Sequence, residues 1–188
     1  MPLQRKNSVK FLGVFIDEQL SWNEHLRHIT TCISRNIGIL YKTKIYLPKD
    51  ALFMLYNSLI LPYITYCNIV WATCAKTKTD TIYMLQKKAL RICTGSHFLA
   101  HTDPLFCDFK TLKVIDINSV QSLIFMYKYK NNLLPRSFRN FFTVNNAIHS
   151  YPTRTSSNFH LVNPKLVIAQ KSIRHHGPDL WNALPQSI

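Results

Sequence analysis

The sequence predicts a mainly α protein: a helical bundle preceded by one apolar strand and followed by an irregular C-terminal region. Three observations carry this expectation. Between residues 23 and 131 the apolar residues recur at steps of three and four. One segment, VKFLGVFID at 9–17, has the Val, Phe and Ile content of a strand and is apolar on both faces. Beyond residue 142 the helical period fades into NNAIHSYPTRTSSNFHLVNPK, which reads as extended loop. The expected organisation is therefore a strand and turn at 1–22, a helical domain at 23–142, and an extension at 143–188 that ends in a short helix. With 188 residues, 47% of them hydrophobic, the chain is large enough for a packed core and too apolar for disorder.

Each element has a local reason. A lone strand with two apolar faces is an aggregation hazard, so the strand's pairing partners are expected on sequence before Met1. Asp17-Glu18 follows the strand and reads as a turn and helix cap rather than a metal site. From Asn23 to about Lys44, Leu26, Ile29, Ile33, Ile37 and Leu40 share one helix face, which Trp22 extends. Pro48 ends this unit. A helix over 49–61 turns Leu52, Leu55, Tyr56, Leu59 and Ile60 inward. Pro62 then opens another, reaching about Cys74.

These two helices read as a buried hairpin. Asn57, Ser58, Pro62 and Asn68 interrupt the stretch too often for a membrane span, and no membrane partner is expected. Tyr56, Tyr63, Tyr66 and Trp71 fall beside Leu and Ile and are assigned to the core. AKTKTD at 75–80 reads as a polar loop. Asp80 caps a helix over 81–94 that Gly95 closes, with Ile82, Leu85, Ala89 and Ile92 buried. A short helix at 103–111 precedes a longer one at 116–131, whose inward face carries Ile117, Val120, Ile124, Met126 and Tyr127. Pro135 starts a short turn through Phe142. The loop after it holds at most one hairpin. A final helix at 171–184 is interrupted at Gly177-Pro178.

The charge is lopsided. Lys and Arg number 23 against 9 Asp and Glu, a net charge of +14. So large an excess fits a polyanionic partner, nucleic acid first. Arg27, Arg35 and Lys42 lie opposite the apolar stripe of the first helix, with Lys44 at its end; Lys87, Lys88 and Arg91 lie away from the buried face of the helix at 81–94. These seven are the candidate phosphate contacts.

Catalytic chemistry finds no foothold. The nine carboxylates are scattered, no G-x-S-x-G elbow occurs, and four glycines leave no phosphate-cradling loop. His175-His176 reads as part of a basic loop. Cys93, His97, His101 and Cys107 are spaced Cys-x3-His-x3-His-x5-Cys, which matches no zinc module. They read instead as a helix end and a loop, with Cys93 packed inward. Five cysteines, an odd number behind the polar start MPLQRKNS, point to free thiols in a reducing compartment.

The order of short motifs says more than any one of them. FLGVFID, LSWNEHL, LYNSLILPYITYCNIVW and LQKKALRICTG are followed by HTDPLF, YPTR and GPDLWNALP. This succession resembles the region after the catalytic palm in reverse transcriptases of non-LTR retrotransposons, LINE-like elements of the jockey and CR1 type. The resemblance implies that FLGVFID is a palm-edge strand and that the helices form a thumb-like domain. It also implies that the basic helices bind an RNA–DNA template–primer duplex beside the palm and fingers. The family's catalytic aspartates stand in a Phe/Tyr-x-Asp-Asp motif, and no Asp-Asp occurs here. No catalytic residue carries over and no cofactor is expected for this chain, although the parent polymerase would use Mg2+. The expectation is a non-catalytic C-terminal fragment of an RNA-directed DNA polymerase, truncated or from a decayed copy. Two alternatives stand beside it: a stand-alone basic helical nucleic-acid-binding protein, and a helical module that meets an acidic protein. The sequence assigns no compartment; nuclear and cytoplasmic residence both fit.

Overall fold

The computed structural model describes residues 5–148 and 153–185. It is mainly helical, as expected, but the opening segment is a hairpin and not a single strand. Strand β1 (Ser8–Phe11) pairs antiparallel with β2 (Val14–Asp17), Val9 opposite Ile16 and Phe11 opposite Val14. The turn between them is Leu12-Gly13, with φ of 45° and 84°. Positive φ at both central residues is what a two-residue I′ turn requires, and glycine adopts it freely. The segment therefore supplies its own pairing partner, and the case for missing sequence drawn from an orphan strand falls. A two-stranded hairpin is marginal alone. This one is held by Val14, buried with α1 (Asn23–Thr43) in one core, and by the Tyr66 hydroxyl, which donates to the Leu12 carbonyl at 2.6 Å.

The chain divides into two compact units, one ending at Ile117 and one starting at Asn118. In the first, α1 follows its sequence pattern: Leu26, Ile29, Ile33, Ile37 and Leu40 are all buried, as is Trp22. The Asp17 carboxylate holds the turn that leads into the helix by accepting the backbone N–H groups of Gln19, Ser21 and Trp22 at 3.2, 2.9 and 2.8 Å. The helix N-cap itself is Trp22, left-handed and without a side-chain cap, so the expected cap is a turn only.

After α2 (Lys49–Leu59), the single helix expected from Pro62 to Cys74 is broken into α3 (Leu61–Thr65) and α4 (Asn68–Trp71). Tyr66 is extended and Cys67 left-handed at the break. Side chains take up the carbonyls: the Trp71 indole N–H bonds Tyr66 O at 2.8 Å, and the Asn68 amide bonds Ile64 O at 3.0 Å. Trp71 and Tyr56 are core residues, but Tyr63 and Tyr66 are 37% and 52% exposed, contrary to the sequence reading.

Helix α5 spans Lys76–Thr94, so AKTKTD is its first turns rather than a loop, and Asp80 lies within it rather than capping it. Gly95 closes it in the left-handed conformation, as expected. Buried Gln86 fastens α5 inside the bundle. Its amide donates to Tyr56 Oη and Leu112 O, both at 2.9 Å, and its carbonyl accepts from Val114 N at 3.1 Å. The short α6 (Asp103–Asp108) follows. The division between the units falls within α7 (Val114–Lys130).

In the second unit the inward residues of α7 are Met126, Phe125 and Tyr129, while Val120, Ile124 and Tyr127 are 39%, 47% and 55% exposed. The stripe inferred from sequence thus holds at Ile117 and Met126 and is corrected at Val120, Ile124 and Tyr127. Asn132, left-handed at φ 55°, ends the helix, and Leu133 N–H reaches back to Lys128 O at 2.8 Å. A 3-10 turn at Arg136–Phe138 leads to an isolated bridge between Val144 and Phe159, the one strand pairing of the loop among the described residues. Helix α8 (Val167–Lys171) precedes α9 (Ile173–Asn182), which runs through Gly177-Pro178 without the expected interruption. Gly177 is buried there, and a Cβ on it would lie 2.9 Å from Met126 Sδ. The Tyr-Pro of the YPTR motif lies outside the described residues.

Candidate nucleic-acid interface

The seven candidate phosphate contacts all belong to the first unit. Arg27, Arg35 and Lys42 are exposed on α1, spaced eight and seven residues apart, so each falls about two turns beyond the last. The exposed residues between them include small or polar Thr31, Ser34 and Gly38, and also Ile39 and Tyr41, which are 44% and 59% exposed. A Cβ on Gly38 would meet nothing within 4 Å, so this face is open at that position. Lys44 caps α1 at its C-terminus, with its Nζ 4.3 Å from the Tyr41 ring centroid.

On α5, Lys88 is exposed while Lys87 and Arg91 are half-buried. Lys87 Nζ sits over the Tyr83 ring at 4.2 Å. Arg91 Nε donates to Ala100 O at 2.9 Å, which commits that guanidinium partly to holding the loop after α5. Helices α1 and α5 pack through a shared core. The α1 cations and Lys88 are exposed to solvent beside that core, whereas Lys87 and Arg91 are half-buried. Three ion pairs occur among the described residues, Arg5–Glu18, His101–Asp103 and Lys113–Asp103. None neutralises any of the seven.

The other constellations resolve into structural roles. Asp17 holds the turn before α1, and Glu18 pairs with Arg5 at 2.8 Å. Cys93 is fully buried with its Sγ 3.6 Å from Leu52 O, and burial pushes its thiol up to about 11. His97, His101 and Cys107 are exposed, and among the described residues no three His, Cys, Asp or Glu side chains converge as metal ligands. No helix among the described residues is long and apolar enough to cross a membrane.

The sequence reading confined its candidates to residues 27–91. From Asn118 onward the chain holds eight Lys and Arg against a single carboxylate, Asp179. That imbalance is steeper than the chain's own and was countable from sequence.

Three curated relatives share sequence with this chain. The RNA-directed DNA polymerase from mobile element jockey of Drosophila melanogaster is 23% identical over 187 residues, 96% of this chain and 18% of the relative. The corresponding protein of Drosophila funebris is 27% identical over 117 residues, 61% of the chain and 13% of the relative. The probable RNA-directed DNA polymerase from transposon X-element of Drosophila melanogaster is 24% identical over 119 residues, 62% of the chain and 13% of the relative. The chain spans less than a fifth of the length of each. No protein-family model and no solved structure matches it. Motif order and these matches agree: the chain is similar in sequence to part of the RNA-directed DNA polymerases of jockey and X-element, which are non-LTR retrotransposons.

Proposed function

We propose that this chain is the thumb-like region that follows the palm of such a polymerase. By itself it is non-catalytic and binds template–primer nucleic acid through its basic helix faces. The observation that carries this reading is the similarity to the jockey polymerase over 96% of the chain. The net charge of +14 and the exposed Arg27, Arg35 and Lys42 support it. The parent polymerase's Mg2+ would be held by carboxylates of the palm, and among the described residues of this chain no acidic cluster would hold it. Its part in the reaction is to bind and orient the duplex. On the hairpin, Val9, Phe11 and Leu12 are 52%, 61% and 74% exposed; in the whole polymerase this apolar edge would meet the palm.

Fluorescence anisotropy of a blunt RNA–DNA hybrid, titrated at two salt concentrations, tests the binding. Affinity should fall steeply with salt, and a triple Ala variant at Arg27, Arg35 and Lys42 should flatten the log–log slope by about one unit per cation removed. Salt-independent binding, or none, would favour the protein-interaction module instead.

A further inference from the structure

The second unit contains a cleft of about 780 Å³, within the size range of sites for small molecules. The chain builds it from distant segments. The end of α7 supplies Tyr129 and Lys130, the 3-10 turn after Pro135 supplies Arg136 and Arg139, the bridge strand supplies Phe159, and α9 supplies Trp181.

Its walls are fixed from behind. The Tyr129 hydroxyl accepts the Phe142 N–H at 3.3 Å and lies 2.9 Å from Phe142 O and 3.0 Å from Arg139 O. Asn182 clamps Phe159 with two backbone bonds, its Oδ1 accepting from Phe159 N at 3.0 Å and its Nδ2 donating to Phe159 O at 2.8 Å. Phe159 in turn packs edge-on against Trp181. The aromatic lining is therefore held in place without a ligand.

Lys130, Arg136 and Arg139 are exposed around this lining, and no carboxylate pairs with them among the described residues. Lys130 Nζ instead lies 5.3 Å from the Trp181 ring centroid. Three uncompensated cations beside aromatic faces repel one another and present the two features a nucleotide needs, a stacking surface and a phosphate site.

We propose that this cleft takes one unstacked nucleotide of a single-stranded nucleic acid. Its base lies against the Trp181 and Tyr129 wall and its phosphate among Lys130, Arg136 and Arg139. An acidic peptide would use the cations but leave the aromatic wall idle. The proposal rests on the reading of the chain as nucleic-acid-binding. It assigns a segment of the strand that is not in the duplex, to a cleft built from residues of the second unit alone.

The test uses the full chain and three probes at equal ionic strength: dT10, rU10 and a blunt RNA–DNA hybrid. Trp22 and Trp71 are 4% and 0% exposed, so fluorescence quenching on binding reports Trp181. Both decanucleotides should quench, and whichever binds tighter identifies the strand as DNA or RNA. The double variant Arg136→Ala/Arg139→Ala, at two exposed positions, should weaken decanucleotide binding about ten-fold and leave the blunt hybrid within two-fold. Trp181→Leu, checked for folding by circular dichroism, should abolish the quench. The cleft proposal is overturned if decanucleotides bind without quenching, fail to bind, or are weakened no more than the hybrid by the double variant. Single-strand binding without hybrid binding would overturn the duplex reading and leave the cleft standing.

Discussion

At the residue scale, a few polar side chains fix the first unit around its apolar core. Asp17 is the clearest. Burial alone would raise its pKa, but the hydrogen bonds from Ser21, Trp22 and Gln19 outweigh that and hold the carboxyl below its usual range. Because the folded pKa lies below the unfolded one, the unfolded chain takes up the proton first. The stabilisation is complete above the unfolded value, near 3.8, and is lost as pH falls through the folded one. Asp17→Ala should cost about 1–3 kcal/mol at pH 7, since the hydrogen bonds are to a charged acceptor. Urea unfolding of both proteins at pH 7 and at about pH 3 checks this, and the gap should narrow in acid. An unchanged gap would mean that the turn geometry and not the charge fixes α1. His25 runs in the same direction. Burial, aided by nearby His28, lowers its pKa, and its Nε2 has no hydrogen-bond partner. Protonation in the unfolded state therefore favours unfolding as pH drops below about 6.5.

At the element scale, what was legible follows from how many constraints act on one segment. Helix α1 has one core to face, and its period of three and four names all five of its stripe residues. Helix α7 gives Val114 and Ile117 to one core cluster and Met126, Phe125 and Tyr129 to another, so no single stripe describes it, and the one inferred took in exposed Val120, Ile124 and Tyr127. The hairpin was missed because its turn is Leu-Gly. An Asn-Gly or Asp-Gly there would have split VKFLGVFID at once, whereas Leu12 continued the apolar run. Leu12 is left-handed at φ 45° and 74% exposed, an unfavourable state for a residue with no side-chain compensation. Leu12→Asn should therefore stabilise the protein, by about 0.5–1 kcal/mol, and slow hydrogen exchange of the Ser8–Asp17 amides. Destabilisation would show that the Leu12 side chain contributes more by packing than it costs in strain. The cationic row of α1 was readable for the same reason as its stripe, being the opposite face. The cleft of the second unit was not. It depends on Tyr129, Arg139, Phe159 and Trp181 meeting across a segment with no period.

At the scale of the whole molecule, charge is the dominant uncompensated quantity. A net +14 is spread over two units, with three ion pairs among the described residues, all at the surface. Exposed pairs of this kind contribute about 0–1 kcal/mol each, so salt removes little by screening them. Repulsion among the remaining cations acts on the folded chain more than on the expanded one. Raising NaCl from about 10 mM to about 150 mM shortens the screening length from about 30 Å to about 8 Å and relieves that repulsion. Stability should therefore rise with salt, with about 1 kcal/mol lifting Tm by about 2–4 °C for a chain of this size. The gain should be larger beyond Asn118, where eight cations face one carboxylate. Hydrogen exchange followed by mass spectrometry at the two salt concentrations separates the units that a single melting curve would merge. A uniform gain would place the repulsion evenly along the chain. A Tm that falls with salt would mean that attraction between charges, and not repulsion, governs the folded state, and the argument for a polyanionic partner from unbalanced charge would lose its physical basis.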